Sequence, residues 1–457
     1  MASISLFAAG SNARGQLATG DTEDAHQFFP CIFTGYPPNT VPNHVVAVEQ
    51  IACGANHTLA LLRSEDGNTE LWGSGDGTRG QLGPSYAAST EKESENARAI
   101  FRPLDLPFQI AGVGSLDGFT VRLIAAGWET SYVVLSRPEH SDVLLSMGAN
   151  DFGNLGLGAS PSTHTTQGVH AVDLVSVLPS DVTRSGVTLK ILSLSTGPHH
   201  TVVRVSFVFP DGSSRTSLAG WGTSRHGQLG PILNASGRPS PSTPSPHHLP
   251  VDSPKDITAI TLGNQHTVCL RSSGRLHALG SNRKDQLAGL DSLSGVTQVG
   301  CTWNGTYVLL ESGQVLATGS NTHSQLGRGS TGTHSGHGTL APVSLPIALG
   351  PGQITRLVCG SEHVLCIVKR SLAPKHESQE QRPAAHREVW GWGWNEHGNL
   401  GIGGTDDAGV PVKVWPPEHV GATGESTSGR HGDGEVLNVW AGCGTSFLLV
   451  RGRSHHA

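Results

Sequence analysis

Four histidines recur in one sequence context and are the first candidates for chemistry. Each follows a glycine by three positions and lies between two short apolar runs: His57, His200, His266 and His363. Histidine is the most frequent general base of enzymes because its ordinary pKa lies near neutrality. A catalytic base, however, occurs once and has its own partners, whereas these four repeat at an equivalent position. We therefore predict that they tie a strand end to a neighbouring backbone group, and that the chain is not an enzyme.

A glycine-rich phosphate site is the second candidate. Residues 75–80, Gly-Asp-Gly-Thr-Arg-Gly, match the G-x-G-x-x-G fingerprint of dinucleotide-binding proteins. That site needs a following helix with an acidic residue beyond it, but the next residues, QLGPSYAAST, belong to a repeated turn and an insert. The sequence therefore predicts no nucleotide and no other cofactor.

The cysteines indicate neither a disulfide framework nor a metal site. There are seven, an odd number, and no two form a Cys-x-x-Cys pair. Most lie inside apolar runs, where cysteine behaves as a small buried hydrophobe. We predict no bound metal. Because the net charge is −6 and no Lys/Arg cluster exceeds two or three residues, we also predict no direct binding of nucleic acid.

The start of the chain bears on its location. MASISLFAAG lacks both the basic residues and the long apolar stretch of a secretion signal, and no run reaches the length of a membrane span. We expect a cytoplasmic protein, with the nucleus as a second compartment and no membrane partner.

A tryptophan-rich turn is the most individual segment. Residues 389–400 read VWGWGWNEHGNL, with three tryptophans in five positions. Trp390 and Trp392 alternate along a strand, and core packing explains them. The four turn residues are candidates for presentation at a surface, where aromatic anchors with polar neighbours favour interfaces: Trp394, Asn395, Glu396 and His397. Partner binding and structural packing both remain open for them.

These residues lie in a repeated framework. A turn of the type Gly-Ser-Asn-x-x-Gly-Gln-Leu occurs seven times, beginning at Gly10, Gly75, Gly148, Gly222, Gly280, Gly319 and Gly393. A second motif, apolar run, Gly-x-x-His-Thr, apolar run, alternates with it and also occurs seven times. Short β-branched runs with period 2 predict strands, so each unit is a four-stranded blade. The sequence predicts an all-β, seven-bladed propeller.

The two ends of the chain supply the two halves of one blade. We predict that Ile4–Ala9 pairs beside Phe447–Val450, which closes the ring and removes free edges. The sequence therefore predicts one propeller over residues 1–453, followed by a short tail at 454–457. Closure makes the first and seventh turns neighbours, so the acidic residues after the first turn join the candidate surface: Asp21, Glu23 and Asp24.

Five segments interrupt the repeat and are predicted to be inserts between strands: 84–102, 231–256, 328–340, 371–387 and 421–434. The first is polar and could hold a short helix. The second is Pro/Ser-rich, and we expect it to be disordered and dispensable for folding. One unit is instead short, since only 22 positions separate Gly280 from Thr302. Its blade must be trimmed in the outer strands or their connections.

At the two motifs, GSNxxGQL and CGxxHT, the chain resembles the regulator of chromosome condensation repeat family of seven-bladed propellers. Within it, FAAGSNARGQLATGDTED and GWGWNEHGNLG are similar to the branch that contains the fungal alpha-tubulin suppressors and the secretion-regulating exchange-factor-like protein of animals. This resemblance implies a non-catalytic adaptor that binds a small zinc-ribbon protein of diphthamide synthesis. It also implies support for Elongator-dependent modification of tRNA wobble uridines.

The founding member of the family implies an alternative function. It is a guanine nucleotide exchange factor for the small GTPase Ran and docks on chromatin. This chain has no basic N-terminal tail before Ile4, and the hairpin connection after Leu135 is short, SRPEHSD, where the exchanger carries a wedge. Both an adaptor with a zinc-ribbon partner and an exchange factor with a small GTPase partner remain open.

Overall fold

The computed structural model describes residues 4–90, 98–158, 168–179, 182–329, 337–371, 385–417 and 434–452. These residues form seven antiparallel blades around one axis, as the repeats predict, and one small separate hairpin.

The strands follow the chain around the ring. The first blade contains β1 (Ile4–Gly10) and β2 (Ala25–Pro30). The second contains β3 (Val45–Cys53), β4 (His57–Ser64), β5 (Thr69–Gly75) and β6 (Arg102–Pro103), with helix α1 (Gly83–Thr90) between the last two. The separate hairpin is β7 (Gln109–Ile110) and β8 (Gly114–Ser115). The third blade contains β9 (Thr120–Ala126), β10 (Thr130–Ser136), β11 (Val143–Gly148) and β12 (Val169–Ala171).

The remaining blades continue in the same way. The fourth contains β13 (Thr188–Thr196), β14 (His200–Val208), β15 (Ser214–Thr223) and β16 (Ser242–His248). The fifth contains β17 (Ile257–Leu262), β18 (His266–Arg271) and β19 (Leu276–Gly280). The sixth contains β20 (Val296–Cys301), β21 (Gly305–Leu310), β22 (Val315–Ser320) and β23 (His337–Pro342). The seventh contains β24 (Ile354–Cys359), β25 (His363–Ser371), β26 (Ala385–Gly393) and β27 (Ala408–Trp415), and β28 (Glu435–Ala441) and β29 (Thr445–Arg451) complete the first blade.

Ring closure by the chain ends is confirmed. β1 pairs with β29 over seven residues, from Ile4 opposite Arg451 to Gly10 opposite Thr445, and its other edge pairs with β2. The innermost strand of every blade contacts its counterpart in the next blade. Because neighbouring strands are antiparallel, the Gly-x-x-His turns and the Gly-Ser-Asn turns emerge at the same end of the ring, which we name the turn face.

The two repeated motifs meet through one backbone hydrogen bond per blade. The residue after the first glycine of each Gly-Ser-Asn turn donates its N–H to a carbonyl of the Gly-x-x-His turn, at 2.8–3.0 Å: Ser11, Asp76, Ala149, Thr223, Ser281, Ser320 and Trp394. Glycine is required before them, because the chain there has positive φ, +114° at Gly10 and +97° at Gly393. A Cβ at Gly10 would also lie 2.1 Å from the carbonyl oxygen of Gly444.

The motif histidines join blades. Their Nε2 atoms lie within hydrogen-bond distance of a hydroxyl in the following blade: His57 to Ser131 at 2.8 Å, His200 to Thr267 at 3.1 Å, His266 to Thr306 at 3.3 Å and His363 to Ser446 at 3.0 Å. The partner is thus a side chain, where we expected a backbone group. Their structural position agrees with the prediction that they are not catalytic.

The trimmed unit is confirmed as the fifth blade, which has three strands. After β19, a single 3₁₀ turn at Leu290–Ser292 leads to β20. No fourth strand forms in this fully described part of the chain.

The prediction of a disordered insert at 231–256 is wrong. Residues Ser242–His248 form β16, the outermost strand of the fourth blade, where prolines are tolerated because one edge needs no partner. Pro244 packs on the neighbouring blade: a Cβ at Gly153 would lie 2.5 Å from its Cα, and its carbonyl accepts the N–H of Gly158 at 2.9 Å. Composition was misleading because it ignores this edge position.

The other predicted inserts are described only in part. Helix α1 occupies the start of the segment 84–102. Ala99 and Phe101, near the end of that segment, are fully buried. Most of the segments predicted at 328–340, 371–387 and 421–434 lies outside the described residues, as does the tail at 454–457.

Deleting residues 242–248 should destabilise the protein by more than ~2 kcal/mol, because several backbone hydrogen bonds worth ~1 kcal/mol each would be lost with β16. Deleting 235–237, at the tip of the preceding turn, is the matched control; it removes only the backbone hydrogen bond from Gly237 to Asn234 and should cost ~1 kcal/mol. Urea unfolding of both variants measures the difference. Equal stabilities would show that β16 is the dispensable segment that its composition suggests.

Candidate partner-binding face

The Gly-Ser-Asn turn of the seventh blade is braced by its asparagine. Asn395 Oδ1 accepts the N–H of Leu400 at 2.8 Å, and its Nδ2 donates to the carbonyls of Gly404 at 2.9 Å and Asp406 at 3.1 Å. Its side chain is fully buried. The prediction that Asn395 is presented at a surface is therefore wrong, because an amide that satisfies the turn from inside cannot also reach a partner.

The other three residues of that turn are accessible. Trp394 and His397 are half-buried and Glu396 is exposed. The indole Nε1 donates to Glu396 Oε2 at 3.2 Å, and the indole meets the His397 ring edge-on, with centroids 5.3 Å apart. The ring of His323, from the turn of the sixth blade, also lies near the indole, with centroids 6.0 Å apart. The tryptophan is thus held in one orientation with part of its ring open to solvent.

The acidic segment lies beside this turn, as ring closure predicts. Asp24 Oδ2 lies 2.6 Å from His397 Nδ1, and its Oδ1 accepts the N–H of Asn12 at 2.8 Å. Asp21 and Glu23 are exposed, and Asp21 Oδ1 accepts the N–H of Glu23 at 3.1 Å. The contact between Asp24 and His397 spans 373 positions of sequence and joins the first blade to the seventh.

Sequence reasoning missed a second group at the turn face, the axial aromatic cluster of Trp128, Phe152, His199 and Trp303. The two indoles, from the third and sixth blades, meet across the axis with centroids 5.7 Å apart. His199 lies 5.9 Å from Trp128 and 4.7 Å from Phe152, which is 42% exposed. A signal was available, since these tryptophans stand at a turn position that is Ala, Pro, Asn, Ser or Cys in the other five copies.

The axial aromatic cluster and the Trp394 turn belong to one continuous surface. The backbone N–H of Trp303 donates to the Ser361 carbonyl at 2.7 Å, and the Ser361 hydroxyl accepts the backbone N–H of Gly444 at 3.2 Å. Gly444 in turn lies against Trp394, whose Cζ3 would be 3.4 Å from a Cβ there. A partner of modest size could therefore contact both aromatic groups.

Beneath the cluster lies a narrow axial cavity of about 110 Å³ lined by the Gly-x-x-His turns. Four of the cysteines line it: burial raises the pKa of Cys53, Cys301 and Cys443 to about 12, and it raises the pKa of Cys359 well above the ordinary value. These thiols stay protonated, so they are poor nucleophiles and poor metal ligands. Within the described residues, no group of three or more His, Cys, Asp or Glu side chains could hold a metal ion.

The space beside the glycine-rich segment 75–80 is occupied by a side chain of the protein itself. Helix α1 does follow it, but Tyr86 of that helix donates its hydroxyl to the Gly75 carbonyl at 3.0 Å. A Cβ at Gly77 would lie 2.8 Å from the same ring. The space that a phosphate would need is occupied by this tyrosine, and the helix belongs to a blade connection.

Both the sequence and the fold of this chain are similar to those of known proteins. The regulator of chromosome condensation (RCC1) repeat matches residues 5–61, 312–367 and 388–449, and a second form of the repeat matches 48–81 and 296–325. The secretion-regulating guanine nucleotide exchange factor of Mus musculus is 24% identical over 98% of this chain and 84% of its own length. The ultraviolet-B receptor UVR8 of Arabidopsis thaliana is 23% identical over 96% and 84%.

Solved structures share the fold. Prp20p of Saccharomyces cerevisiae, whose structure was described with its binding properties to Gsp1p and histones, superposes with a TM-score of 0.67 at 16% identity, over 100% of this chain and 93% of that one. Human WBSCR16 superposes with a TM-score of 0.62 at 20% identity, over 98% and 99%. In the described residues no helix has the length and apolar character to cross a membrane.

The repeats, the ring closure and the relatives agree with the family that the two motifs indicate, and the mouse relative carries the name of the secretion-regulating protein to which the sequence was likened. The chain is a seven-bladed β-propeller that carries repeats of the regulator of chromosome condensation (RCC1) type over residues 5–81, 296–367 and 388–449.

Proposed function

We propose that the protein is a non-catalytic adaptor that binds a small partner through its turn face. The observation that carries this proposal is the joining of the first and seventh turns, which sets an oriented, partly exposed indole, Trp394, among carboxylates. The axial aromatic cluster extends the same surface. A buried or half-buried aromatic anchor with a polar rim is the arrangement that concentrates binding energy in protein interfaces.

The partner in this proposal is a small zinc-ribbon protein of diphthamide synthesis. Through it the propeller supports diphthamide formation and the Elongator-dependent modification of tRNA wobble uridines, in the cytoplasm and with the nucleus as a second compartment. Two points support this partner: the family branch, and the acidic character of the exposed residues Asp21, Glu23 and Glu396. An acidic rim complements lysines and arginines around a metal site and speeds association.

Trp394→Ala should weaken binding of the zinc-ribbon protein by more than ~1 kcal/mol, because the anchor would be lost. Neutralising Asp21 and Glu23 should chiefly slow association and reduce its salt dependence. Asp24→Asn is treated separately, since this carboxylate also holds His397. Calorimetric titration measures the affinities, and a thermal melt confirms that each variant is folded.

The matched control is Phe108→Ala. Phe108 is 64% exposed and lies in the connection between β6 and β7, which leaves the ring at the end opposite the turn face. This variant should bind as the parent does. Unchanged affinity in folded Trp394→Ala and Glu396→Ala variants would contradict the proposed interface, and absence of binding by the parent would contradict the partner.

A second candidate function is guanine nucleotide exchange on a Ran-like small GTPase. It is supported by the mouse relative named as a secretion-regulating guanine nucleotide exchange factor. Against it, the connection between β10 and β11 has only six residues, 137–142, where the family's exchanger carries a longer wedge. Release of a fluorescent GDP analogue from the GTPase separates the candidates: accelerated release supports exchange, and an unchanged rate supports the adaptor.

A further inference from the structure

The fifth blade leaves a strand position open. β19 pairs only with β18, and all five of its residues are half-buried. In the sixth blade the equivalent strand, β22, is covered by a fourth strand and is buried throughout. The outer edge of β19 pairs with no strand, although the 3₁₀ turn Leu290–Ser292 packs against β19, and an unpaired edge is the feature that an added strand requires.

At the first, third, sixth and seventh turns, the chain that leads into or forms the fourth strand of the next blade docks on the turn. A Cβ at Gly15 would lie 2.6 Å from Ala99 of the second blade, and a Cβ at Gly398 would lie 2.5 Å from His26 of the first. The carbonyls of the same two residues accept an N–H from further along that turn: Ala99 from Gly20 at 2.8 Å and His26 from Gly403 at 2.8 Å. The third and sixth turns repeat this bond, to Pro244 at 2.9 Å and to Gly409 at 2.7 Å.

The turn of the fourth blade lacks this contact. Gly227 is the counterpart of Gly15 and Gly398, but the nearest atom to a Cβ there is the carbonyl oxygen of Gly230, 4.0 Å away in the same turn. The N–H of Ile232, which stands where Gly20 and Gly403 donate, bonds instead to Gly230 at 3.0 Å. A cleft of about 440 Å³ lies above it, between the fourth and fifth turns.

Two of the fourth strands are preceded by an aspartate with a fixed set of partners. Asp24 precedes β2 and Asp407 precedes β27. Each carboxylate lies near the histidine of the preceding blade's turn, His397 at 2.6 Å and His323 at 3.3 Å. Each also accepts the backbone N–H of the turn asparagine of its own blade, Asn12 at 2.8 Å and Asn395 at 2.9 Å.

The open position keeps both receptors for such a carboxylate. His226 stands at the position of His397 and His323, and Asn282 at the position of Asn12 and Asn395. Both line the cleft, together with Arg225 and Arg283. Neither arginine forms an ion pair with a carboxylate among the described residues. The cleft is therefore complementary to an acidic group that the described chain does not supply.

We propose that a partner protein completes the fifth blade with an extended segment that starts with an aspartate and continues with small residues. The aspartate binds His226, the N–H of Asn282 and the two arginines, the small residue packs on Gly227, and the following residues pair with β19. A short segment suffices, since β12 of the third blade has three residues. This inference is independent of the partner proposed for the Trp394 turn.

The chain itself supplies a probe for this site. A fluorescently labelled peptide with the sequence of residues 405–415, TDDAGVPVKVW, contains the aspartate, small residues and strand that fill the equivalent position of the seventh blade. Fluorescence anisotropy with the full chain should show saturable binding. The peptide in which Asp407→Asn is made should bind at least about tenfold more weakly, as expected from loss of a charge-assisted hydrogen bond.

Variants of the protein locate the binding. Arg283→Glu and His226→Ala should each weaken the parent peptide about tenfold or more. Arg14→Glu is the matched control, because Arg14 holds the position of His226 in the first turn, where the next blade's chain is already docked. It should leave binding unchanged. Peptide binding should also slow amide hydrogen exchange in Ala278–Gly280.

Several outcomes would overturn the proposal: absence of binding at millimolar peptide, equal affinity of the Asp407→Asn peptide, or equal affinity in folded Arg283→Glu and His226→Ala proteins. Protection from exchange in β27 and not in β19 would likewise show that the peptide had replaced its own strand. A dimer in sedimentation that Arg283→Glu dissociates would identify a second copy of the chain as the occupant. That result would also overturn the proposal that a different protein supplies the segment.

Discussion

Removing residues 1–9 should lower the unfolding temperature sharply and cause self-association. The deletion removes nearly all of β1, which pairs with β29 on one side and β2 on the other. It also removes the buried Leu6 and Phe7, and Phe7 packs on Trp415 with centroids 5.6 Å apart. Truncating one buried Phe costs ~3–5 kcal/mol, so losing the whole strand should approach the ~5–15 kcal/mol that a domain has.

The exposed edges explain the expected association. Without β1, both β29 and β2 present unpaired backbone groups, which template pairing with another chain. A thermal melt and sedimentation velocity measure the two effects. A deletion of residues 1–3, which keeps β1, is the matched control. If the longer truncation stayed monomeric and equally stable, closure by the chain ends would not be what holds the ring together.

The ring could be predicted from sequence because its geometry forces particular residue types at repeated positions. Gly10 and its six counterparts are required where φ is positive and another turn's carbonyl approaches. The strands between them are short apolar runs, and the middle ones, such as Thr130–Ser136 and Val315–Ser320, are buried almost throughout because neighbouring blades pack on both faces. Closure then follows from two half-blades at the chain ends, and the proximity of Asp24 to the Trp394 turn follows from closure.

Residues of the candidate site were harder to predict, for identifiable reasons. Asn395 is polar and lies in a turn, so it reads as exposed, although recurrence of asparagine at Asn12, Asn150, Asn282 and Asn321 signals a structural role in bracing the turn. The pairing of Trp128 with Trp303 depends on the width of the ring at its axis, which local sequence does not specify.

The strand Ser242–His248 shows where composition fails. Its two prolines and three serine or threonine residues resemble a linker, but an outermost strand needs hydrogen bonds on one edge only. The vacancy in the fifth blade could be inferred as a shortened unit. That the neighbouring turn keeps receptors for a carboxylate, His226 and Asn282, became clear only from the partners of Asp24 and Asp407.

A steep loss of stability on mild acidification is the second large effect that we expect. Burial lowers the pKa of His57, His266 and His363 from 6.5 to about 4 and that of His200 to about 3. In the unfolded chain these rings take up protons below their ordinary pKa of about 6.5. The unfolded state therefore binds more protons than the folded state between pH 6.5 and 4, and the free energy of unfolding falls as pH falls through that window.

The size of this loss of stability follows from the number of buried histidines. Each histidine contributes about 1.4 kcal/mol per pH unit in the steep part of the window, so the four together should give about 5 kcal/mol per pH unit. A domain stability of ~5–15 kcal/mol would be consumed within about one to three pH units below 6.5. Urea unfolding at a series of pH values from 7.5 to 5 measures the slope. We expect His200→Gln to make it shallower by about 1.4 kcal/mol per pH unit.

A variant that weakens the same inter-blade contact without removing a titrating group separates protonation from simple destabilisation. Ser131→Ala deletes the hydroxyl that lies 2.8 Å from His57 Nε2 but keeps the ring buried. It should lower the free energy of unfolding by about 1 kcal/mol at every pH. The slope against pH should equal that of the parent, because the number of protons taken up on unfolding is unchanged. His57→Gln should instead reduce the slope. Equal slopes of unfolding free energy against pH for the parent and both histidine variants would mean that these imidazoles are protonated in the folded propeller as they are in the unfolded chain. Their links to the next blade would then not depend on the neutral form.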